Sequence, residues 1–538
     1  MRAAFIGIMF MMSGAQAAIL QSCPDDQGGM RVTLGADGGA GCERVELNVP
    51  PEVIVALHPV APELARDVGE RLLLQGPERE GRFTIGSVTA TGKERVSERP
   101  QPMPLRENLL ASMNVRAFGI EERVRLRMEA GRLHLSCRAG TRPAGVTLSG
   151  PWTLPLARLS LHLAGTASAR FDIAATDAMR AAKETSVPLG HTGPGRMAAE
   201  LSLPRDDFDR ANWRSFSIAC PSSAAELTLD ELSLNPQPAV PASRSMWVWD
   251  AREWMERPQA VLARAQERNV KTLFVSVPVS GEKVTEPHRL AAFIRSARTV
   301  GIAVWSVDGD PRMVLPAEHA KTVARALAYA AYTDGAEPDA RLAGMQFDIE
   351  HYLLPGYAPS AAALDKHYLS LARALKRAAA GMPLEFVVPF WWAEKAELLK
   401  GLAASASGLN VMDYRTDPAQ IRRFAAPFLD WGTVHRKSVR IALEAGPVEP
   451  ELQRRYVRAA EGELWLVSVG QTPVLVLLKE AARNSHGPAF RMESASVFDG
   501  SATSFHRDPG RLLELLPSLE ADFAAWPSFG GVSLHELK

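Results

Sequence analysis

The segment that decides the fold reads LAGMQFDIEHY and covers residues 342–352. Its apolar run predicts a buried strand that ends by presenting two carboxylates, Asp348 and Glu350. Side chains alternate along a strand, so residues two apart point to the same face. Adjacent carboxylates raise each other's pKa, and a site that tolerates them commonly supplies a proton near neutral pH. We therefore interpret the pair as catalytic acids, against the alternative of a structural acid pair.

This segment is the fourth of eight strand-like segments that alternate with helical ones. The predicted strands are Met246–Trp249, Thr272–Val279, Ile302–Asp308, Gly344–Glu350, Leu384–Trp391, Leu409–Tyr414, Ser438–Glu444 and Phe529–Leu537. Such a series is typical of a (β/α)8 TIM barrel, whose usual length of about 250 residues fits residues 246–538. The last interval also holds an apolar run, Leu464–Val469, and a hairpin pattern, so one of its strands could belong to the barrel. The alternative fold is an open doubly wound sheet.

The N-terminal half has a β pattern, which makes the chain multidomain. Short alternating runs between turn residues predict an all-β sandwich over residues 130–235. This region resembles the jelly-roll sandwiches that accompany secreted carbohydrate-active enzymes. Residues 18–129 form a small β-rich region, and the Pro-rich residues 236–245 form a linker. Trp152 and Trp213 are either platforms for stacking sugars or members of the sandwich core.

The first 17 residues have the pattern of a signal peptide, with small residues at positions 15 and 17 before the expected cleavage site. We therefore expect an exported, periplasmic or secreted protein. The four cysteines then favour two disulfides, and we predict the pairs Cys23–Cys42 and Cys137–Cys220 among three possible connectivities. A competing interpretation takes residues 20–23 as a lipoprotein box, with a lipid on Cys23.

The composition is that of a globular protein with no charge bias. Of 538 residues, 46% are hydrophobic and 23% charged, and 61 basic residues balance 61 acidic ones. The absence of a basic stripe argues against a nucleic-acid partner, and no segment after the signal is apolar enough to predict a membrane span. A neutral polysaccharide or oligosaccharide is the expected partner. The sequence does not indicate the oligomeric state.

The predicted barrel strands end in carboxylates and aromatic residues. In TIM barrels the active site lies at these C-terminal ends. Glycosidic bond cleavage needs one acid to protonate the leaving oxygen, a second group to attack or stabilise the sugar cation, and aromatic faces to hold the ring. The candidates for substrate binding are Asp250, Asp308, Trp391, Tyr414, Arg415 and His535. Metal ligation by Asp308, Asp348, Glu350 and His535 is the less favoured alternative, because the spacing fits no zinc or calcium motif; we expect neither metal nor cofactor.

Two of these strand ends carry a family resemblance. Residues 344–350, GMQFDIE, resemble the fourth-strand signature of family 18 chitinases, and residues 412–415, MDYR, resemble their sixth-strand motif. The resemblance implies that Glu350 is the general acid, that Asp348 polarises it or orients the substrate's acetamido group, and that Tyr414 contacts the reacting sugar. The sequence departs from the signature at Ala343 and Gln346, where the family has acids. It also has Arg415 for the family's Asp and His535 for its usual Trp.

A looser resemblance covers residues 246–538 and implies a glycoside-hydrolase-like barrel. Many retaining glycosidases carry the acid at the end of strand four and a glutamate nucleophile at the end of strand seven, and Glu350 and Glu444 occupy those places. The region also resembles a group of uncharacterised bacterial barrels. Glu444 is thus a candidate nucleophile, or a hydrogen-bonding acid of the rim. Arg415 is expected to pair with Asp348 or Glu444.

These observations favour an exported glycoside hydrolase that cleaves a polysaccharide by carboxylate acid/base chemistry. Its catalytic residues would be Glu350, Asp348 and Glu444. The alternative is a non-catalytic carbohydrate-binding or exopolysaccharide-assembly protein that uses the barrel as a binding cup, since the signature acids are incomplete. A different, metal-assisted hydrolase is a third interpretation.

Overall fold

The computed structural model describes residues 17–24, 30–35, 41–66, 68–80, 82–91, 101–177, 186–204, 210–241, 243–354 and 357–537. The predicted signal peptide, apart from residue 17, lies outside the described residues. Both predicted disulfides, Cys23–Cys42 and Cys137–Cys220, are confirmed. The sulfur of Cys23 is therefore occupied, which corrects the lipoprotein interpretation, because a lipid would need the same sulfur.

The C-terminal part contains a closed barrel of eight parallel strands. Their bounds are Arg244–Val248, Val270–Ser276, Ala303–Asp308, Met345–Asp348, Leu384–Pro389, Gly408–Met412, Ser438–Glu444 and Phe529–His535. The first and last strands close the barrel, with Ser245 opposite Ser533 and Met246 opposite Leu534. All eight predicted strands are confirmed as barrel strands, and the open-sheet alternative is wrong.

Each connection between consecutive barrel strands contains at least one α-helix. The helices are Ala251–Glu256, Pro258–Glu267, Pro287–Thr299, Pro316–Gly335, Tyr357–Ala378, Ala396–Ala403, Pro418–His435 and Pro509–Phe523. Two of them begin at an Asp-Pro pair: the side chains of Asp417 and Asp508 accept backbone N–H groups of the first turn. Proline fits the first helical position because it lacks an N–H that would otherwise need a partner.

The interior of the barrel combines aromatic packing with a buried polar layer. Trp247, Phe274, Val307, Val387, Met412 and Ala442 form an apolar cluster. The indole N–H of Trp247 donates to Gln346 over 2.7 Å, and the Gln346 amide donates to Glu385 over 3.3 Å. Arg440 pairs with Glu385 at 3.4 Å. Gln346 is thus part of the structural interior.

Residues 114–236 contribute two five-stranded antiparallel sheets. One has the order Asn114–Gly119, Ala144–Ser149, Trp213–Ala219, Asp172–Asp177, Ser186–His191; the other has the order Val124–Glu129, Arg132–Cys137, Ala225–Pro236, Leu159–Ala167, Gly195–Ser202. A short parallel pair joins Gln101–Pro102 to Trp152–Thr153. Trp213 is only 6% exposed and belongs to the hydrophobic core, whereas Trp152 is half-buried and packs against it. The position of Trp213 favours the packing role.

The N-terminal strands pair with the insertion between the last two barrel strands. Together they form one seven-stranded sheet with the order Ile54–Pro59, Thr472–Ala482, Gly462–Val469, Ala489–Phe498, Glu451–Ala459, Arg71–Gly76, Ser87–Thr91. A three-stranded sheet, Ala18–Pro24, Met30–Leu34 and Glu43–Leu47, shares an apolar cluster with it. The insertion adds no strand to the barrel. The division at residue 130 remains a prediction about domains, although strands on both sides of it pair with each other.

The sandwich contacts the barrel through two buried carboxylates on barrel helices. Asp430 Oδ1 accepts the backbone N–H of Leu156 and the indole N–H of Trp526, both over 2.7 Å. Asp522 accepts Arg106 over 2.6 Å and Arg422 over 2.7 Å. Across the described part of the chain, no helix is both long and apolar enough to span a membrane.

Candidate active site at the barrel mouth

Strand four delivers two carboxylates to the C-terminal end of the barrel. The strand ends at Asp348, and Glu350 directly precedes a short 3-10 turn, His351–Leu353. The hydroxyl of Tyr352 donates to Glu350 Oε2. A Cβ at Gly309, in the loop after strand three, would lie 2.7 Å from the carbonyl oxygen of Asp348. Glycine at 309 therefore allows this loop to close against strand four.

Asp348 is held in a state that favours its protonated form. Burial raises the pKa of Asp348 well above its usual range, and the charge of Glu350 raises it further. Its Oδ1 is buried and has no hydrogen-bond partner within the described residues. Both causes favour the neutral form of the Asp348 carboxyl group.

Tyr414 is the common neighbour of three acids. Burial raises the pKa of Tyr414 well above its usual range, and the charges of Glu444, Asp348 and Glu350 raise it further, in that order. Tyr414 also packs against the same apolar cluster as Tyr352, which donates to Glu350. Since Tyr414 stacks on the imidazole bonded to Glu444, the acids of strands four and seven lie at one end of the barrel. Tyr414 stays protonated there and can donate a hydrogen bond.

Glu444, at the end of strand seven, has both carboxylate oxygens occupied by N–H groups. The backbone N–H of Gly446 donates to Oε1, and His535 Nδ1 lies 2.6 Å from Oε2. The indole N–H of Trp249 donates to His535 Nε2 over 3.2 Å. The rings of Tyr414 and His535 stack at a centroid distance of 6.0 Å. Strands one, six, seven and eight thus meet around His535.

An aromatic wall stands beside Glu350. The rings of Tyr352 and Trp391 meet edge-on at 5.2 Å. Behind them, the fully buried His351 contacts Asp365 over 2.9 Å, and Asp365 accepts Lys395 over 2.5 Å. The Lys395 ammonium also lies 5.6 Å from the ring of Trp391. These contacts hold the wall in place.

Two predicted site residues, Asp250 and Asp308, lie elsewhere. Asp250 caps helix Ala251–Glu256 and pairs with Arg252 at 2.7 Å. Asp308 points into the helix layer, where Arg325 binds it at 2.6 Å and the hydroxyl of Tyr329 also donates to it. Their side chains are engaged in local structure and do not meet Glu350.

The expected ion pair of Arg415 with Asp348 or Glu444 is wrong. The guanidinium group of Arg415 lies over the ring of Phe390 at 4.4 Å and donates to the carbonyl oxygen of Tyr414. Burial lowers the pKa of Arg415, and the charge of Asp413 opposes that change. Asp413 is fully buried, and burial raises its pKa well above the usual range.

The structure therefore brings together six predicted residues: Asp348, Glu350, Trp391, Tyr414, Glu444 and His535. Sequence reasoning missed the contributions of Trp249, Tyr352 and the backbone N–H of Gly446. Trp249 carried a signal, since it directly follows the first barrel strand with the same parity as the interior residue Trp247. The described residues contain no group of three or more His, Cys, Asp or Glu side chains that could hold a metal ion.

Comparisons with known proteins give limited information. No protein-family model matches the sequence, and no curated protein matches it. A mutant of a family 29 carbohydrate-binding module aligns with 23% of this chain and 75% of its own, at 12% identity and a TM-score of 0.18. The CBM22-1–GH10 modules of a Clostridium thermocellum xylanase, Xyn10B, align with 63% of this chain and 82% of theirs, at 9% identity and a TM-score of 0.28. Values this low assign no function.

Proposed function

We propose that this chain is an exported glycoside hydrolase that cleaves a polysaccharide at the mouth of a (β/α)8 barrel. The observation that carries the proposal is that Tyr352 and Tyr414 pack against the same apolar cluster at the barrel mouth. Tyr352 donates to Glu350, and Tyr414 stacks on the imidazole that is bonded to Glu444. Acids from strands four and seven that face one space, beside aromatic rings, suit the two-carboxylate chemistry of glycosidic cleavage. The two disulfides support export.

In this mechanism the acids of strand four supply the proton. Glu350 would donate it to the departing glycosidic oxygen as the C–O bond breaks. Burial and the charge of Glu350 raise the pKa of Asp348, which favours a neutral carboxyl group beside the acid. Tyr352 donates to Glu350 Oε2 and so orients the carboxyl group. Trp391 would stack against the sugar ring.

Glu444 would act on the opposite side of the sugar. Its carboxylate would attack the anomeric carbon or stabilise the positive charge there, and water would then complete the hydrolysis. Tyr414 would donate a hydrogen bond to an oxygen of the sugar, at or near the ring oxygen. The presence of a strand-seven acid favours this two-carboxylate reaction over one assisted by the substrate's own acetamido group.

The second candidate is a carbohydrate-binding or exopolysaccharide-assembly protein with an inactive barrel. One observation favours it: Gln346, which stands where the chitinase signature has an acid, is bonded to Trp247 and Glu385 in the barrel interior and is committed to structure. The same aromatic wall and carboxylates would then hold a sugar without cleaving it.

Product release from a panel of plant glucans and xylans, aminosugar polymers and bacterial exopolysaccharides tests the proposal. The variants are Glu350→Gln and, as a matched control, Glu267→Gln at an exposed helix position. We expect wild type and the control to release the same products and Glu350→Gln to lose at least about 100-fold in rate. If neither wild type nor control cuts any polymer while both retain one in a pull-down, the binding function replaces the hydrolase.

The role of Glu444 has a separate test. In Glu444→Ala, added azide can enter the space left by the side chain. Appearance of a glycosyl azide product would support Glu444 as the nucleophile, whereas unchanged hydrolysis in this variant would remove it from the mechanism.

A further inference from the structure

A hydrogen-bonded chain crosses three adjacent strands of the barrel mouth. It runs from Trp249 Nε1 to His535 Nε2 over 3.2 Å, and from His535 Nδ1 to Glu444 Oε2 over 2.6 Å. Glu444 and His535 are register partners on neighbouring parallel strands, so the backbone itself places their side chains next to each other. The hydrogen bond between Glu444 and His535 is therefore set by the strand register.

The partners of the imidazole specify its tautomer. The indole nitrogen of Trp249 can only donate, so His535 Nε2 must accept and cannot carry a hydrogen. A neutral imidazole carries one N–H, which therefore sits on Nδ1 and donates to the Glu444 carboxylate. The direction of both hydrogen bonds follows from the single fact that tryptophan has no acceptor on its ring nitrogen.

The imidazole is also confined on its faces and edge. Tyr414 stacks on it with an angle of 26° between the rings, and Trp247 meets it edge-on at 5.5 Å. On the other side of the carboxylate, the backbone N–H of Gly446 donates to Glu444 Oε1. Neither the histidine nor the glutamate can rotate without losing these contacts.

We infer that His535 is a positioning residue that fixes Glu444 as a hydrogen-bond acceptor, and that Trp249 selects the histidine tautomer which makes this possible. The role in the reaction rests on the proposed hydrolase function. With one donor on each oxygen, Glu444 keeps its remaining lone pairs for the sugar and presents them in one orientation. Displacement of the Glu444 carboxylate should lower the rate of the chemical step more than it weakens substrate binding.

Nitrogen NMR of the imidazole tests the tautomer without requiring activity. The full chain, labelled with 15N-histidine, contains 12 histidines, and the spectrum of His535→Asn identifies the resonance that belongs to this one. We expect Nδ1 to be protonated and Nε2 to be unprotonated in wild type. Trp249→Phe should release the constraint and give a mixture of tautomers.

The matched control is Trp247→Phe, which changes a tryptophan that touches the same ring without donating to it. This control should keep the wild-type tautomer. A wild-type spectrum with Nε2 protonated, or a tautomer that is unchanged in Trp249→Phe, would overturn the inference whether or not the protein is active.

A pair of substitutions at 535 then measures the effect on the reaction. Asn can place an N–H where His535 Nδ1 lies, whereas Leu cannot. We expect His535→Leu to lower kcat by about 10- to 100-fold with little change in KM, and His535→Asn to recover most of that loss. Equal loss in both variants would contradict the positioning role. A wild type with the expected tautomer but no activity would count against the hydrolase and still support the hydrogen-bonded chain.

Discussion

Two groups of acids lie at the same end of the barrel and differ in their partners. The arginine-paired acids, Asp250, Asp308 and Asp310, each bind an arginine at 2.6–2.7 Å. The mouth acids, Asp348, Glu350 and Glu444, form no ion pair with Arg or Lys in the described part of the chain; Glu444 binds His535. An acid paired with arginine serves as a structural ion pair, whereas an acid without such a pair can donate or accept a proton in a reaction. The two groups of acids are therefore distinguished by the side chains they bind rather than by their position at a strand end.

The largest expected effect on stability is at Asp308. The substitution Asp308→Asn removes the charge that Arg325 and Tyr329 bind in the helix layer. Loss of one partner of a largely buried ion pair should lower the free energy of unfolding by about 3–4 kcal/mol. Urea unfolding of the variant and of wild type measures this. An unfolding free energy equal to that of wild type would place Asp308 outside the structural group.

A raised pKa does not by itself mark the active site, as Asp430 shows. Burial raises its pKa from the ordinary 3.8 to about 6, although it accepts two N–H groups at the sandwich contact. The folded state therefore binds the proton more tightly than the unfolded state does. Its stabilising contribution is complete below pH 3.8 and is lost as the pH rises through about 6, a change of roughly 3 kcal/mol.

The substitution Asp430→Asn keeps the acceptor oxygen and removes the titration. The difference in unfolding free energy between wild type and this variant should therefore vary with pH over that window, with no change in the pH dependence of product release. Parallel stability curves for the two proteins would show that Asp430 does not titrate there.

The smallest effect is expected at Asp310, which caps the turn Pro311–Val314 and pairs with the exposed Arg312. The substitution Asp310→Ala removes the cap and should cost about 1 kcal/mol or less, because solvent screens the ion pair. Asp310→Asn, which retains the capping oxygen, is the control and should unfold close to wild type. A large loss of activity in either variant would break the division between the two groups.

The strands of the barrel could be predicted from the sequence because each is a short, mostly apolar segment that alternates with a helical one. The arginine partners of Asp250 and Asp310 were also visible, since each acid is followed by an arginine two residues later, as at an N-terminal helix cap. The arginine partner of Asp308 was not visible, because Arg325 lies 17 residues later, in helix Pro316–Gly335. Nothing local distinguishes an acid that turns outward to such a partner from one that turns inward.

The pairing of distant strands was equally hidden. Strand Ile54–Pro59 pairs with Thr472–Ala482, although seven of the eight barrel strands lie between them in the sequence. An alternating pattern predicts a strand and its faces but contains no information on which strand lies beside it. The same limit applies to the chain from Trp249 to Glu444, which depends on three strands meeting in space.

The most direct test of the division between the mouth acids and the arginine-paired acids compares Glu350→Gln with Asp308→Asn for both product release and urea unfolding. If this division holds, Glu350→Gln unfolds like wild type and loses at least about 100-fold in rate, while Asp308→Asn unfolds at lower urea and keeps its activity per folded molecule. Wild-type activity in Glu350→Gln, or loss of activity in folded Asp308→Asn, would contradict it.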